Sequence, residues 1–98
     1  MKSILSNEKV CFLCGANGPL EKHHIYGGAF RKKSEQQGLW VYLCHSCHNE
    51  PPNGVHHNRE RMDALRAEAE RAWMNARNKE VLQPSIDDFI REFGRNYL

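Results

Sequence analysis

No apolar run in this chain approaches the ~20 residues that a membrane-spanning helix needs, which excludes a helical integral membrane protein. Charge of one sign is also lacking. The 14 Lys and Arg face 12 acids, and the resulting +2 is too small to identify a nucleic-acid binder. There is no internal repeat and no low-complexity stretch. A residue mix of 40% hydrophobic and 27% charged speaks against wholesale disorder. Length is short as well: a chain of 98 residues is expected to form one domain, spanning 1–98. Such a chain hides only ~60% of its unfolded surface, so its core is marginal without help. The opening residues turn polar at Ser6-Asn7-Glu8-Lys9, before any signal-peptide core, so a cytoplasmic location is expected.

What is present is unevenly placed. All four cysteines lie between Cys11 and Cys47, all six histidines between His23 and His57, and neither type occurs from Asn58 onward. The chain therefore divides into a Cys/His-rich part over 8–58 and a helical part over 59–98. Over 59–79, Met62, Leu65, Ala69, Trp73 and Ala76 recur at helical spacing and predict one buried face. Arg59 with Asp63, and Arg66 with Glu70, are expected as i,i+4 ion pairs on the outside. Pro84 interrupts, and Ser85 is positioned to cap a second helix with Asp87 and Asp88 in its first turn. Ile86, Phe89, Ile90 and Phe93 are its expected buried stripe, with Gly94 at its end. Both helices are expected to pack on the Cys/His-rich part.

That part reads as short strands. Residues 10–13 and 20–25 flank the turn signal Gly15-Ala16-Asn17-Gly18-Pro19 and suggest a hairpin-like pair, and 39–43 is apolar and β-favouring. Between them, Gly27 to Lys33 reads as a glycine-hinged loop with three successive cations. The fold class is α+β.

Cys11-Phe12-Leu13-Cys14 and Cys44-His45-Ser46-Cys47 are two Cys-x-x-Cys pairs. Two intervening residues let both sulfurs turn toward one ion, so two such knuckles close a structural Zn²⁺ site. Two disulfides or a redox pair are the alternatives. Without an export signal or a thioredoxin-like pattern, both rank below zinc.

One ion would occupy all four sulfurs, which leaves the histidines over. His23 and His24 close a predicted strand, and His48 directly follows the second knuckle. Zinc would draw these regions together, so an imidazole from each is a candidate ligand of a second, incompletely coordinated metal. Adjacent strand residues face opposite sides, so one of the doublet can ligate while the other faces a substrate. A neutral imidazole, pKa ~6.5, can take a proton from water near neutral pH. His56 is a further candidate ligand or phosphate contact, with a solvent-facing or capping role as the alternative. His45 and His57 read as surface residues.

Cys-x-x-Cys, then Glu21-Lys22-His23-His24-Ile25, then Leu43-Cys44-x-x-Cys47-His48 resembles the zinc-containing HNH endonucleases of the ββα-metal (His-Me finger) superfamily. The Gly38-to-Cys44 run, Gly54-Val55-His56 and the closing Phe93-Gly94-Arg95-Asn96-Tyr97-Leu98 are similar to small phage-encoded members. The likeness covers residues 11 to about 58. It implies a zinc-stapled ββα-metal fold followed by two helices. His23 and His48 are implied as ligands of a catalytic divalent ion (Mg²⁺, Mn²⁺, Ni²⁺ or Zn²⁺), with His24 as the general base. The implied substrate is DNA, double-stranded and read with weak sequence preference. Phage packaging or recombination proteins are the implied setting, in a bacterial or phage-infected cell. The family's middle Asn, which braces a loop and orients the base, is expected nine positions before His48 and is replaced there by Leu39. Arg31, Lys32 and Lys33 are candidate phosphate contacts, with a solvated charged loop as the alternative. The rival to an enzyme is a non-catalytic zinc-binding module that holds DNA or a protein partner.

Overall fold

The computed structural model describes residues 1–77 and 85–98. Its elements are β1 (Leu20–His24), α1 (Arg31–Gln36), β2 (Trp40–Cys44), α2 (His45–Asn49), α3 (Arg59–Arg77) and α4 (Ile86–Phe93). Short 3₁₀ turns at Gly28–Phe30 and Val55–His57 complete the set. A small two-stranded antiparallel sheet packed with helices is an α+β arrangement. No helix among the described residues is long and apolar enough to cross a membrane.

The strand pairing differs from expectation. β1 pairs with β2, His23 opposite Val41 and His24 opposite Trp40, while residues 10–13 form no strand. The reason is local: Cys11 N–H bonds to Ala16 O and Gly15 N–H to Cys11 O, curling this segment into a knuckle that makes a single backbone bond to β2, from Phe12 N–H to Tyr42 O. Strand alternation then sorts the side chains. Glu21 and His23 share a face with Val41 and Leu43, and Lys22 and His24 share the other with Trp40 and Tyr42. Lys22 Nζ lies 4.1 Å from the centre of the Trp40 ring.

The segment between the strands is more ordered than a hinged loop. Gly28–Phe30 winds into α1, so Arg31, Lys32 and Lys33 begin a helix. Ser34 on α1 is fully buried, and its hydroxyl donates to Leu39 O and accepts from Tyr26 N–H. Gly38 then turns the chain with φ +73, and a Cβ there would meet Lys2 O at 2.6 Å.

Ile25, Tyr26, Leu39, Val41, Leu43 and Val55 form one buried cluster with Met62, Leu65, Ala69 and Trp73 of α3 and Phe89 and Phe93 of α4. Tyr26 is its hub, with ring centres 4.7 Å from Phe93 and 5.4 Å from Phe89, and its hydroxyl donates to Arg66 O at 2.6 Å. Burying rings of this size contributes more than any aliphatic contact in so small a core. The predicted Ser85 cap of α4 is present, and the structure extends it to a capping box: Asp88 N–H donates to Ser85 Oγ, and Ser85 N–H to the Asp88 carboxylate. Gly94 closes the helix in the left-handed region at φ +87.

Two helical expectations need correction. Ile86 and Ile90 are exposed, because α4 meets the core only along its Phe89–Phe93 edge. Arg66 and Glu70 do not pair outside. Glu70 is fully buried and accepts the Tyr97 N–H at 2.7 Å, while Arg66 Nε donates to Ile25 O. Arg59 and Asp63 do pair, at 3.2 Å. The predicted continuation of α3 to residue 79 and the break at Pro84 lie outside the described residues.

Candidate metal centres

The β1–β2 register brings Cys44 opposite Leu20, and α2 starts at the next residue. Cys44 caps α2, its sulfur accepting from Cys47 N–H at 3.5 Å. One helical turn therefore presents Cys47 toward the first knuckle and, one residue on, His48 toward β1. The four sulfurs of Cys11, Cys14, Cys44 and Cys47 lie within 4.8 Å of one another, as free thiols. Cys14 Sγ and Cys44 Sγ are 3.7 Å apart. A tetrahedral zinc with ~2.3 Å arms has sulfur–sulfur edges of about 3.8 Å, so the donor set fits structural zinc. Burial raises the Cys11 thiol, but backbone N–H groups of Cys44, Cys14 and Leu13 outweigh it and bring the thiol down to about 6. Burial and the neighbouring sulfurs push Cys47 up to about 12. A thiolate among three more sulfurs calls for a compensating cation, and a divalent ion supplies it.

A second group of ligand atoms, from His23, His48 and His56, also lies within 4.8 Å. His48 Nε2 and His56 Nε2 are 3.0 Å apart, and the His23 ring centre is 5.0 and 5.2 Å from those of His48 and His56. Nitrogen donors on one tetrahedral ion, at ~2.0–2.1 Å, stand about 3.3 Å from each other. His23 is buried, and its Nε2 has no hydrogen-bond partner. A buried polar nitrogen without a partner is costly, and an ion shared with His48 and His56 would satisfy it. Burial, then the charges of His48, His56, Arg66 and His24, hold the His23 imidazole down at about 3, leaving it neutral at pH 7. That is the form in which imidazole binds metal. Burial, then His48, His57 and Arg66, also lowers His56.

His56 reaches this group because the chain doubles back after α2. Gly54 N–H bonds to Glu50 O at 2.6 Å, and a Cβ on Gly54 would come within 2.6 Å of Glu50 N. Only glycine allows that approach.

His24 stands beside the trio without joining it. Its Nε2 is 2.9 Å from Glu35 Oε1, and its Nδ1 accepts from Arg31 Nε at 3.3 Å. Lys22, His23, His24, Gly27, Gly28, Arg31, His48 and His56 line one open cleft of about 300 Å³. Of the three candidate phosphate-binding cations, Arg31 alone lines this cleft. Lys33 pairs with Glu92 at 3.0 Å, and Lys32 is exposed and lines an adjoining pocket with His24 and Glu35. Lys22 joins Arg31 in the cleft.

Three further residues gain a role from the structure. Glu21 Oε1 takes His48 Nδ1 at 2.8 Å, directing Nε2 toward His56, and its other oxygen meets His45 at 3.1 Å. The His48 and His45 bonds draw the Glu21 carboxyl below its usual range. Strand periodicity could have found it, since Glu21 shares a face with His23. Glu35 and Ser34 carried no such signal, because their roles depend on α1. Leu39, in the expected Asn position, is fully buried in the core, and Asn49 sits against His48 at 3.3 Å rather than against His24. No protein-family model, curated protein or solved structure matches the chain, so its likeness to HNH endonucleases rests on the motif residues.

Proposed function

We propose that this protein is an HNH-type endonuclease, hydrolysing DNA phosphodiester bonds in a ββα-metal site stapled by a separate Cys₄ zinc. The observation that carries the reading is the convergence of His23, His48 and His56 in one open cleft with His24 beside them. Three imidazole donors, one fewer than the sulfur site, would leave an ion one coordination position open, which differs from a closed structural site in the way catalytic metal sites do. A divalent ion there would supply Lewis-acid stabilisation of charge on the phosphate and on the departing oxygen. His24 accepts a proton from the attacking water. The water oxygen bonds to phosphorus, the bond to the 3′ oxygen breaks, and that oxygen leaves as a hydroxyl after gaining a proton from solvent. Arg31 and Lys22, at the mouth of the cleft, hold the phosphate by charge without reading bases.

Plasmid cleavage in Mg²⁺, Mn²⁺, Ni²⁺ or Zn²⁺, wild type against His24→Ala, tests the assignment. Loss of a general base costs ~10²–10⁴ in rate. Undiminished cleavage by the variant overturns the base, and an inert wild type in every metal overturns the nuclease reading. A binding module without catalysis is the second reading, favoured by Leu39 in place of the family Asn. It predicts DNA or protein binding with no cleavage.

A further inference from the structure

The substitution at Leu39 leaves two tasks without their usual residue: bracing the turn between the strands, and orienting the base. Both are met from consecutive positions of α1. Ser34, fully buried, ties Leu39 O to Tyr26 N–H and so fixes the backbone that leaves β1 just beyond His24. Glu35 projects from the next position toward His24 Nε2, 2.9 Å away. Lys22 Nζ, 2.6 Å from the same carboxylate oxygen, anchors Glu35 from the neighbouring residues of β1.

The tautomer of His24 follows from its two neighbours. An arginine guanidinium has donors and no acceptor, so the His24 nitrogen facing Arg31 Nε must carry the lone pair. The other nitrogen, Nε2, then bears the hydrogen and donates it to the Glu35 carboxylate, which can only accept. The ring is thereby held in one orientation, with the Nδ1 lone pair directed to the side from which Arg31 approaches. Arg31 lines the cleft beside the histidine trio. A carboxylate behind an imidazole also stabilises the imidazolium that forms once the ring accepts a proton.

We infer that Ser34 and Glu35 together replace the absent Asn, with Glu35 as the positioning residue that fixes the ring plane and Nε2–H tautomer of His24. This rests on the nuclease reading for its consequence in catalysis, but the arrangement of the ring is measurable without it.

The experiment compares zinc-loaded wild type, Glu35→Ala and Glu35→Gln. Plasmid cleavage in Mn²⁺ gives kcat and KM, and ¹⁵N NMR of the histidine side chains reports the His24 tautomer. Glu35→Ala is expected to lower kcat about 10–100-fold with KM changed less than about twofold, the range for losing an orienting partner. In the same variant His24 loses its single Nε2–H form. Gln keeps an oxygen that accepts the Nε2–H bond but loses the charge that pairs with Lys22 and stabilises the imidazolium, so Glu35→Gln is expected to restore the tautomer and part of kcat. If Glu35 matters only as an ion-pair partner of Lys22, Ala and Gln behave alike, and the inference fails. It also fails if Glu35→Ala leaves both the tautomer and kcat unchanged. An inert wild type removes the nuclease reading. The NMR comparison then decides by itself whether Glu35 fixes the ring.

Discussion

The two clusters of metal-ligating side chains differ in ways that matter more than their shared neighbourhood. The sulfur cluster has four donors, satisfies a tetrahedral ion completely, and ties residues 11–14 to the β2–α2 junction. The imidazole cluster has three donors, opens to a cleft, and has hydrogen-bonding groups set around it: Glu21 behind His48, and Glu35 and Arg31 on His24. Four ligands on one ion leave no position for chemistry, whereas three leave one. One short helix serves both, Cys47 facing one cluster and His48 the other. The division teaches that the first ion is expected to hold the fold, and the second to act on something that enters.

Breaking the sulfur side has the largest expected effect. Structural zinc is worth ~10–16 kcal/mol of apparent binding energy in small peptides, more than most domains have in total stability. Cys47→Ser is therefore expected to lose zinc and cooperative unfolding together, read by metal analysis and circular dichroism. His48→Ala should keep both. Equal damage from the two variants would erase the distinction between the clusters.

A smaller effect comes from pH. His23 takes up a proton near 3 in the folded protein and near 6.5 when unfolded, so between these values the unfolded chain binds more protons. Stability is then fully present above about pH 6.5 and falls as the solution is acidified toward 3. From pH 6.5 to 5 the loss is about 2 kcal/mol from this group. Urea unfolding of wild type against His23→Gln isolates it, since acid release of the sulfur-bound ion affects both equally. Parallel pH curves for the two proteins would contradict the buried, neutral assignment.

The smallest effect sharpens the imidazole side alone. In Gly54→Ala the new methyl group crowds Glu50 N and O, displacing the turn that carries His56. Affinity for the second divalent ion should fall about tenfold, equivalent to about 1.4 kcal/mol. Zinc at the cysteines should stay, and titration calorimetry with Mn²⁺ measures the difference. Unchanged affinity would remove His56 from the ligand set.

The parts of this arrangement legible in the sequence are those set by spacing. The Cys-x-x-Cys pairs, the Met62–Trp73 stripe and the Ser85 cap each depend on residues a turn or less apart. Parts that depend on distant partners were not legible. Residues 10–13 have strand-like composition, but the knuckle claims their hydrogen bonds, so β1 pairs across the α1 excursion instead. Glu70 looks like a surface acid until Tyr97 folds back onto it. Lys33 looks like a free cation until α4 brings Glu92 to it. In the candidate site the histidines stood out by type and Glu21 was within reach of strand periodicity, whereas Glu35 became visible only when α1 placed its carboxylate behind His24.

The most direct test is a crystal structure of the zinc-loaded protein soaked in Mn²⁺, with anomalous scattering to distinguish the ions. Two peaks are expected: zinc among Cys11, Cys14, Cys44 and Cys47, and manganese bound by His23, His48 and His56 with at least one water facing His24. A zinc peak at the cysteines with no peak among the three imidazoles, which instead hydrogen-bond to one another, would contradict the account.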